Sequence, residues 1–492
     1  MAAEADVNTP CVDWVDMEER WALPVALYGG TKVMRDKKTT YLPQYDLETD
    51  ATYKTRRTTA VLYNALKTTI HVLAGEPLKK PITIDGASDR DMEIAEDMDL
   101  ADRDIQQFTM DLLVDLLLFG KCHFYPTYPN TDLIKAETGR ETLTLRDVRD
   151  YQLRPYFIRV PVPDLIGWRG ARRGGQEVLD RMRVRELDVE ATGQWGEQRV
   201  GYVRVYYPDH IERWHEPESN SDEWYLVEEA PNPLGQVPLV TAYARRMGLC
   251  KAYPPFEDLA YVNCQHWQNS SDQNNILRFA RSYLLAFFGW DEEEIKTVEV
   301  GNASGIAQRN TDAHIDVIEH SGHSIDAGRQ QLEDLEEQMR TMGADMLMPP
   351  TGNETATARA IDRAENMSKL QIIVRGLEHA LEVGFEMAAQ LDGRELSPDF
   401  SISINQEFTP YAMAENPLAA MQQDLSMGLI TPERYLNERK RYGLYGDDMD
   451  VEEELRLAAE GSPFALGTGS ADTEPESQFE RDEPEPPEDD AV

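Results

Sequence analysis

Apolar residues recur at steps of three and four over several long stretches, and each stretch predicts a helix. Tyr53, Val61, Leu62, Ala65 and Leu66 place one over Asp50–Leu73, stopped by Gly75-Glu76-Pro77. Another is expected over Asp91–Gly120, whose end, DLLVDLLLFGK, is apolar on nearly every face and calls for burial. From Cys122 to Val240 the period changes. Aromatic and β-branched runs such as RPYFIRVPVPDLIGWR and QRVGYVRVYYPDHIERW, separated by Pro, Gly and Asp, predict a β-rich segment. Pro254–Ser282 reads as a helix with Leu259, Val262, His266 and Trp267 on one stripe and a middle of Gln, Asn and Ser. A polar-centred helix is a poor core helix, so it is expected to pack against copies of itself or to line water.

Strand patterns return over Tyr283–His323, and Ser324–Leu347 is again helical, with Leu332, Leu335, Met339, Met342 and Met346 as its stripe. An abrupt break follows at Met348-Pro349-Pro350-Thr351-Gly352. A single helix is then predicted over Glu354–Leu391, opened by a T-x-x-E capping pattern at Thr351. At 1.5 Å per residue it spans roughly 55–60 Å. Gly376 and Gly384 give it places to bend. FSISINQEF (Phe400–Phe408) alternates like a strand, and Asn416–Glu460 is mostly helical around a turn at Gly443–Gly446. Gly461–Val492 is rich in Gly, Ser, Pro, Asp and Glu, and reads as an acidic tail without a core. The fold class expected from this mixture is α+β.

Charge changes the picture most. The 492 residues carry a formal net charge of −41, which argues against a sequence-reading nucleic-acid binder, since neutralising phosphate takes clustered Lys and Arg. It leaves room for a protein that touches DNA without holding it. The basic loop Trp168–Gly175 has two readings, a phosphate contact or a hairpin tip. The longest apolar runs, Leu112–Phe119 and Leu284–Trp290, are too short to cross a bilayer, so no membrane association is expected. The acidic N-terminus lacks a signal peptide's basic and apolar regions, which places synthesis in the cytoplasm. Cys11, Cys122, Cys250 and Cys264 form no C-x-x-C pair and read as free thiols or small core residues.

Enzymatic chemistry finds little support. No phosphate-binding loop, H-E-x-x-H, G-x-S-x-G or G-x-G-x-x-G occurs. His314, His320 and His323 cluster but lack a fourth ligand. Tyr445–Glu454 resembles a calcium loop without its turn glycine. Glu333, Asp334, Glu336 and Glu337 could hold magnesium, but neighbouring helical carboxylates point in different directions. No catalytic residue, metal or cofactor is expected.

The order of these pieces resembles the portal proteins of tailed bacteriophages, nearest the branch catalogued as a domain of unknown function in phage and prophage genomes. The resemblance lies in YLPQYDLETDATYKTRR (Tyr41–Arg57), LAGEPLKKP (Leu73–Pro81), DLIGWR (Asp164–Arg169), VIEHSGHSIDAGRQQLEDLEEQMRTMGADML (Val317–Leu347), NETATARAIDRAENMSKLQ (Asn353–Gln371) and GLITPERYLNERKRYGLYGDDMDVEEE (Gly428–Glu454). Each is a loose pattern, and their shared order is what is specific. The resemblance implies a ring, usually of twelve copies, at one capsid vertex, through which double-stranded DNA passes non-specifically. It implies assembly in the host cytoplasm and contacts with the major capsid protein, terminase and a head–tail connector. It further implies a wing (1–253), two stem helices (254–282 and 324–347) around a clip (283–323), and a tunnel loop (348–357). A long wing helix and strand (358–415) and a crown (416–460) follow, ahead of the acidic tail (461–492). The tunnel loop and its rim comprise Met346, Leu347, Met348, Pro349, Pro350, Thr351, Gly352 and Asn353, with the methionines and leucine as an apolar rim sliding on DNA. The alternative is an ordinary connector with those side chains in the core. Some of Glu333, Glu336, Glu337, Asp345 and Glu354 are expected to face the channel, where carboxylates keep DNA centred by repulsion. Two other readings compete: another oligomeric virion component such as a connector or tail protein, and a metal-dependent enzyme built on the acidic clusters.

Overall fold

Helices in this chain start where a short polar side chain takes up a free backbone N–H, and that device places many of their boundaries. The computed structural model describes residues 6–142, 144–217, 223–280, 284–289, 314–318, 323–345, 368–406, 408, 417–441 and 449–461. It divides into two compact units, Met1–Met413 and Ala414–Val492. The first unit opens with α1 (Val12–Tyr28), α2 (Gly30–Asp36), α3 (Asp50–Thr59) and α4 (Ala65–Gly75). Strand β1 (Thr83–Asp85) precedes α5 (Asp89–Glu96) and α6 (Ile105–Phe119). Then come β2 (Lys121–Thr127), α7 (Thr131–Thr138), α8 (Leu145–Asp150) and β3 (Tyr156–Val160). A meander of β4 (Leu165–Arg173), β5 (Gln176–Thr192), β6 (Gly196–Tyr206), β7 (His210–His215) and β8 (Tyr225–Pro231) leads to β9 (Val240–Tyr243). The unit closes with α9 (Glu257–Ala280), β10 (Leu284–Phe288), β11 (His314–Ile318), α10 (His323–Ala344), α11 (Lys369–Leu391) and β12 (Ser401–Ser403). The second unit contains α12 (Pro417–Ser426), α13 (Pro432–Arg441) and α14 (Val451–Gly461). The fold is α+β, as the mixture of periods predicts.

Three expected helices are shorter than their apolar patterns. Asp50–Leu73 is two helices, because Ala60–Asn64 is pulled out of the spiral. The Arg35 guanidinium donates twice to the Ala60 carbonyl (2.9 and 2.7 Å), and the Asn64 side chain caps α4 by accepting from the Lys67 N–H. Asp91–Gly120 is likewise two. Asp97 Oδ1 accepts the N–H groups of Ala101 and Asp102, with Leu100 and Asp102 at positive φ, and Asp104 then caps α6. The helix expected over Glu354–Leu391 begins at Lys369. Ser368 is extended (φ −66°, ψ 158°) and forms a capping box with Gln371, which shortens the helix to roughly 34 Å. Residues 354–367 lie outside the described residues.

All strand pairs are antiparallel, in sheets ordered β1-β12, β10-β11, β3-β2-β9 and β4-β5-β6-β7-β8. The basic loop at Trp168–Gly175 is the end of β4 plus a two-residue turn. Gly174 and Gly175 both have positive φ (57° and 90°), as a tight hairpin of this hand demands. The main core joins α1, α4, α6, β2, β3, α9 and α11. A train of rings runs through it, Phe108–Phe124 (6.0 Å), Phe124–Phe157 (5.9 Å), Phe157–Phe385 (5.4 Å) and Phe385–Phe400 (5.3 Å). Gly384 is therefore a packing position rather than a bend: a Cβ there would stand 2.7 Å from the Phe124 ring. Gly120 ends α6 at φ 82°, where a Cβ would strike the Tyr253 carbonyl oxygen at 2.0 Å.

Beside that core lies a buried cation. Lys121 is fully buried, its Nζ donating to the Cys250 carbonyl (2.6 Å) and sitting 4.8 Å from the centre of the Trp168 ring. Burial holds its pKa down to about 8. Between that value and the unfolded lysine's, the unfolded chain binds more protons, so this group makes stability rise with pH. Comparing wild type with Lys121→Met across pH 7 to 11 by urea denaturation should show it. The stability difference should move by about 3 kcal/mol in favour of wild type as pH rises. A pH-independent difference would show that the lysine is not desolvated.

Candidate functional site

The polar middle of α9 is used inside the chain. Leu259, Ala260, Cys264 and Trp267 are buried in the core, and the polar side chains between them reach neighbouring segments. Asn263 accepts from the Leu66 N–H (3.1 Å) and donates to the Tyr63 carbonyl (2.8 Å), so one amide satisfies both sides of the break between α3 and α4. Gln268 donates to the Tyr41 carbonyl (3.0 Å). Asp272 accepts from the Tyr45 hydroxyl (2.6 Å) and stands 3.4 Å from buried Arg56. Arg56 also forks onto Glu48 (2.9 and 2.8 Å) and donates to the Pro43 carbonyl (2.6 Å). That guanidinium holds the Glu48 carboxyl below its ordinary value, and burial with the Asp272 bond pushes the Tyr45 phenol up to about 12. The expectation that these polar residues face copies or water is thus corrected for Asn263, Gln268 and Asp272. They fasten segment 41–66 to the helix.

Helix α10 runs antiparallel against α9. His266 Nε2 lies 3.2 Å from Glu336 Oε1, and Gln273 donates to the Ile325 carbonyl (2.8 Å). A Cβ on Gly328 would meet Gln273 Oε1 at 2.1 Å, so the glycine admits that amide. Leu335 and Met339 of the predicted stripe are buried, and Leu332 and Met342 are half-buried. The far end of the pair carries the antiparallel strands β10 and β11, in register Leu284↔Ile318 to Phe288↔His314.

At the near end three helices meet. Asp345, just past α10, accepts from Lys369 at the first position of α11 (2.5 Å), so the residues flanking 346–367 are tied together. Around this pair Arg245, Met247, Tyr253, Phe256, Met342 and Ile372 help line a largely apolar cleft of about 880 Å³. Periodicity gave no sign of this cleft, because its walls come from a loop, two helix starts and one helix end. Its one local signal was Pro254-Pro255 ahead of α9.

The candidate acidic residues divide. Glu333 and Glu337, one turn apart on α10, are exposed and pair with Arg329 (2.6 Å) and Arg340 (2.5 Å). Glu336 turns toward His266, and Asp345 toward Lys369. Met346, Leu347, Met348, Pro349, Pro350, Thr351, Gly352, Asn353 and Glu354 lie outside the described residues, as do His320 and most of Tyr283–His323. His314 stacks on Phe288 (4.9 Å), and His323 opens α10. Among the described residues no three His, Cys, Asp or Glu side chains stand close enough to hold a metal ion.

A family model described as a domain of unknown function (DUF4055) matches residues 255–391, less than half of the chain. The matched range takes in α9, α10, α11 and everything between them. Among solved structures, the chain is similar to one from the neck of an empty GTA particle computed with C6 symmetry. Identity is 11%, 80% of this chain and 90% of that chain are covered, and the TM-score is 0.36. It is also similar to a chain of the virion of the native gene transfer agent particle (11% identity, 86% and 98% covered, TM-score 0.35). A chain from the neck of the native GTA particle computed with C12 symmetry aligns at 10% identity, with 75% and 88% covered and a TM-score of 0.35. Likeness at this level carries no functional argument by itself. No curated protein matches the chain.

Asn263→Ala tests the fastening on α9. It leaves the buried Leu66 N–H without its partner, while the Tyr63 carbonyl keeps the Ala65 N–H, at a cost of about 1–3 kcal/mol. The expected readout is a lower urea midpoint with an unchanged slope. An unaltered midpoint would show that water replaces the amide at no cost.

Proposed function

We propose that this chain is a portal-type subunit. Copies of it, usually twelve, form a ring at one vertex of a virion, and the ring is a non-enzymatic channel for packaging and ejecting double-stranded DNA. The observation that carries the reading is the α9–α10 pair, which bears β10–β11 at one end and the Asp345–Lys369 tie at the other. Such a pair is a rod of roughly 33–36 Å with an insertion at each end. In this reading 283–323 is the clip that meets terminase and the head–tail connector. Residues 348–357 are the tunnel loop, with Met346 and Leu347 at its rim, and they precede the long wing helix whose described part starts at Ser368. Residues 1–253 form the wing against the major capsid protein, and 416–460 the crown.

The net charge then has a mechanical role. Twelve copies at −41 each carry roughly −490 formal charges, so excess carboxylate repels phosphate and keeps DNA from sticking. Glu333 and Glu337 suit a lumen-facing position, since both are exposed on the side of α10 away from its buried stripe. The same repulsion opposes ring closure and weakens as salt shortens the Debye length below about 10 Å.

Electron microscopy of the purified full-length protein at low and moderate salt tests the proposal. Rings with a channel wide enough for duplex DNA, more abundant at moderate salt, are expected. A solitary protomer in every buffer would refute it. In a packaging assay, Glu333→Lys with Glu337→Lys should slow translocation or trap DNA, whereas unchanged kinetics would remove both residues from the channel.

A further inference from the structure

The β5–β6 ribbon outruns its sheet. β4 pairs with β5 only as far as Val184, and β7 pairs with β6 only from Tyr202 inward, so Leu187–Gly201 has no strand on either side. An isolated two-stranded ribbon is marginally stable in water. This one nonetheless exposes Leu187 (65%), Val189 (60%) and, in its turn, Trp195 (89%). Residues directly opposite each other share a face of a ribbon. The pairs Val189↔Arg199 and Ala191↔Glu197 therefore put one base and one acid among these apolar side chains.

The cleft where the three helices meet carries the complementary pattern. It is largely apolar, has exposed Met247 and Ile372 at its edge, and includes Arg245 and Asp258 in its wall besides the mutually paired Asp345 and Lys369. Arg245, Asp258, Glu197 and Arg199 have no ion-pair partner among the described residues. At about 880 Å³ the cleft has the volume of a site that encloses several side chains.

We propose that the ribbon Leu187–Gly201 of one copy docks in this cleft of the next copy. Trp195 enters the apolar cleft, Glu197 meets Arg245, and Arg199 meets Asp258. The contact is head-to-tail, using different surfaces on the two copies, which is the kind that closes into rings. It rests on the ring reading above and supplies the residues by which one subunit holds the next. A second copy is the occupant because ribbon and cleft match both in apolar character and in the sign of two charges.

The test uses the full-length protein with a benzophenone amino acid at position 195, irradiated after assembly and mapped by peptide mass spectrometry. Adducts to the next copy within 244–259 or 369–373 are expected. Separately, Glu197→Arg and Arg245→Glu should each weaken association by about tenfold or more, as should Trp195→Ala. The double variant E197R/R245E should restore most of the loss caused by either charge reversal. Rings in which position 195 crosslinks elsewhere, or a double variant no better than its singles, overturn the docking while leaving the ring reading intact. A protein that never assembles overturns both.

Discussion

One buried amide governs how the first unit is held together. Asn263 bonds to both the Tyr63 carbonyl and the Leu66 N–H, groups that the break between α3 and α4 leaves without helical partners. The Tyr63 carbonyl also accepts from the Ala65 N–H, but leaving the buried Leu66 N–H unpaired would cost more than a typical hydrogen bond gains, so the break calls for an acceptor from elsewhere in the fold. An asparagine carries both on one short side chain. Gln268 and Asp272 repeat the logic along α9, and Arg56 extends it to Glu48 and Pro43. A leucine at these places could bury area, but it could not fix which backbone group lies opposite which turn.

The same helix sets the geometry of the candidate site. With one flank bonded to segment 41–66, α9 offers its other flank to α10, and Gln273 over Gly328 sets the register between them. That register brings the end of α10 to the start of α11, where Asp345 meets Lys369. An exposed ion pair of this kind adds little stability. Its consequence is positional, since it holds the end of α10 beside the start of α11. The cleft beside it exists because three helix ends converge there without a side chain large enough to fill the space.

Charge is distributed unevenly across this architecture. The buried cations among the described residues are individually housed: Lys121 against Trp168 and a carbonyl, Arg56 in its carboxylate fork, and Arg154 on Asp97. On α10 the exposed Glu333 and Glu337 each take an arginine. Near these residues the net negative charge is therefore smaller than a count of carboxylates suggests. Its effect depends on how the arginines are screened.

Much of this was legible in the linear chain. The α+β class, the β-rich middle, both helices of the antiparallel pair and the helical second unit follow from periodicity, because burial on one face writes a period of 3.6 or 2 into the residues. Helix ends were less legible. Asp50–Leu73 and Asp91–Gly120 each keep an apolar period across a break, since core-facing residues on both sides of an interruption meet the same core. In the first the interruption shows in distant partners, Arg35 at Ala60 and Asn263 at Tyr63, and in the second in the local turn around Asp97 and Asp104. The polar residues of α9 suggested a poor core helix, yet the helix lies in the core and several of those side chains are buried against segments some two hundred residues away. The residue types on α10 pointed to an acidic face. Tertiary contact decided that Glu336 belongs to His266 and Asp345 to Lys369, and that a loop, two helix starts and one helix end close around a cleft. Periodicity records whether a side chain is buried; which group it is buried against depends on three-dimensional neighbours that no local pattern encodes.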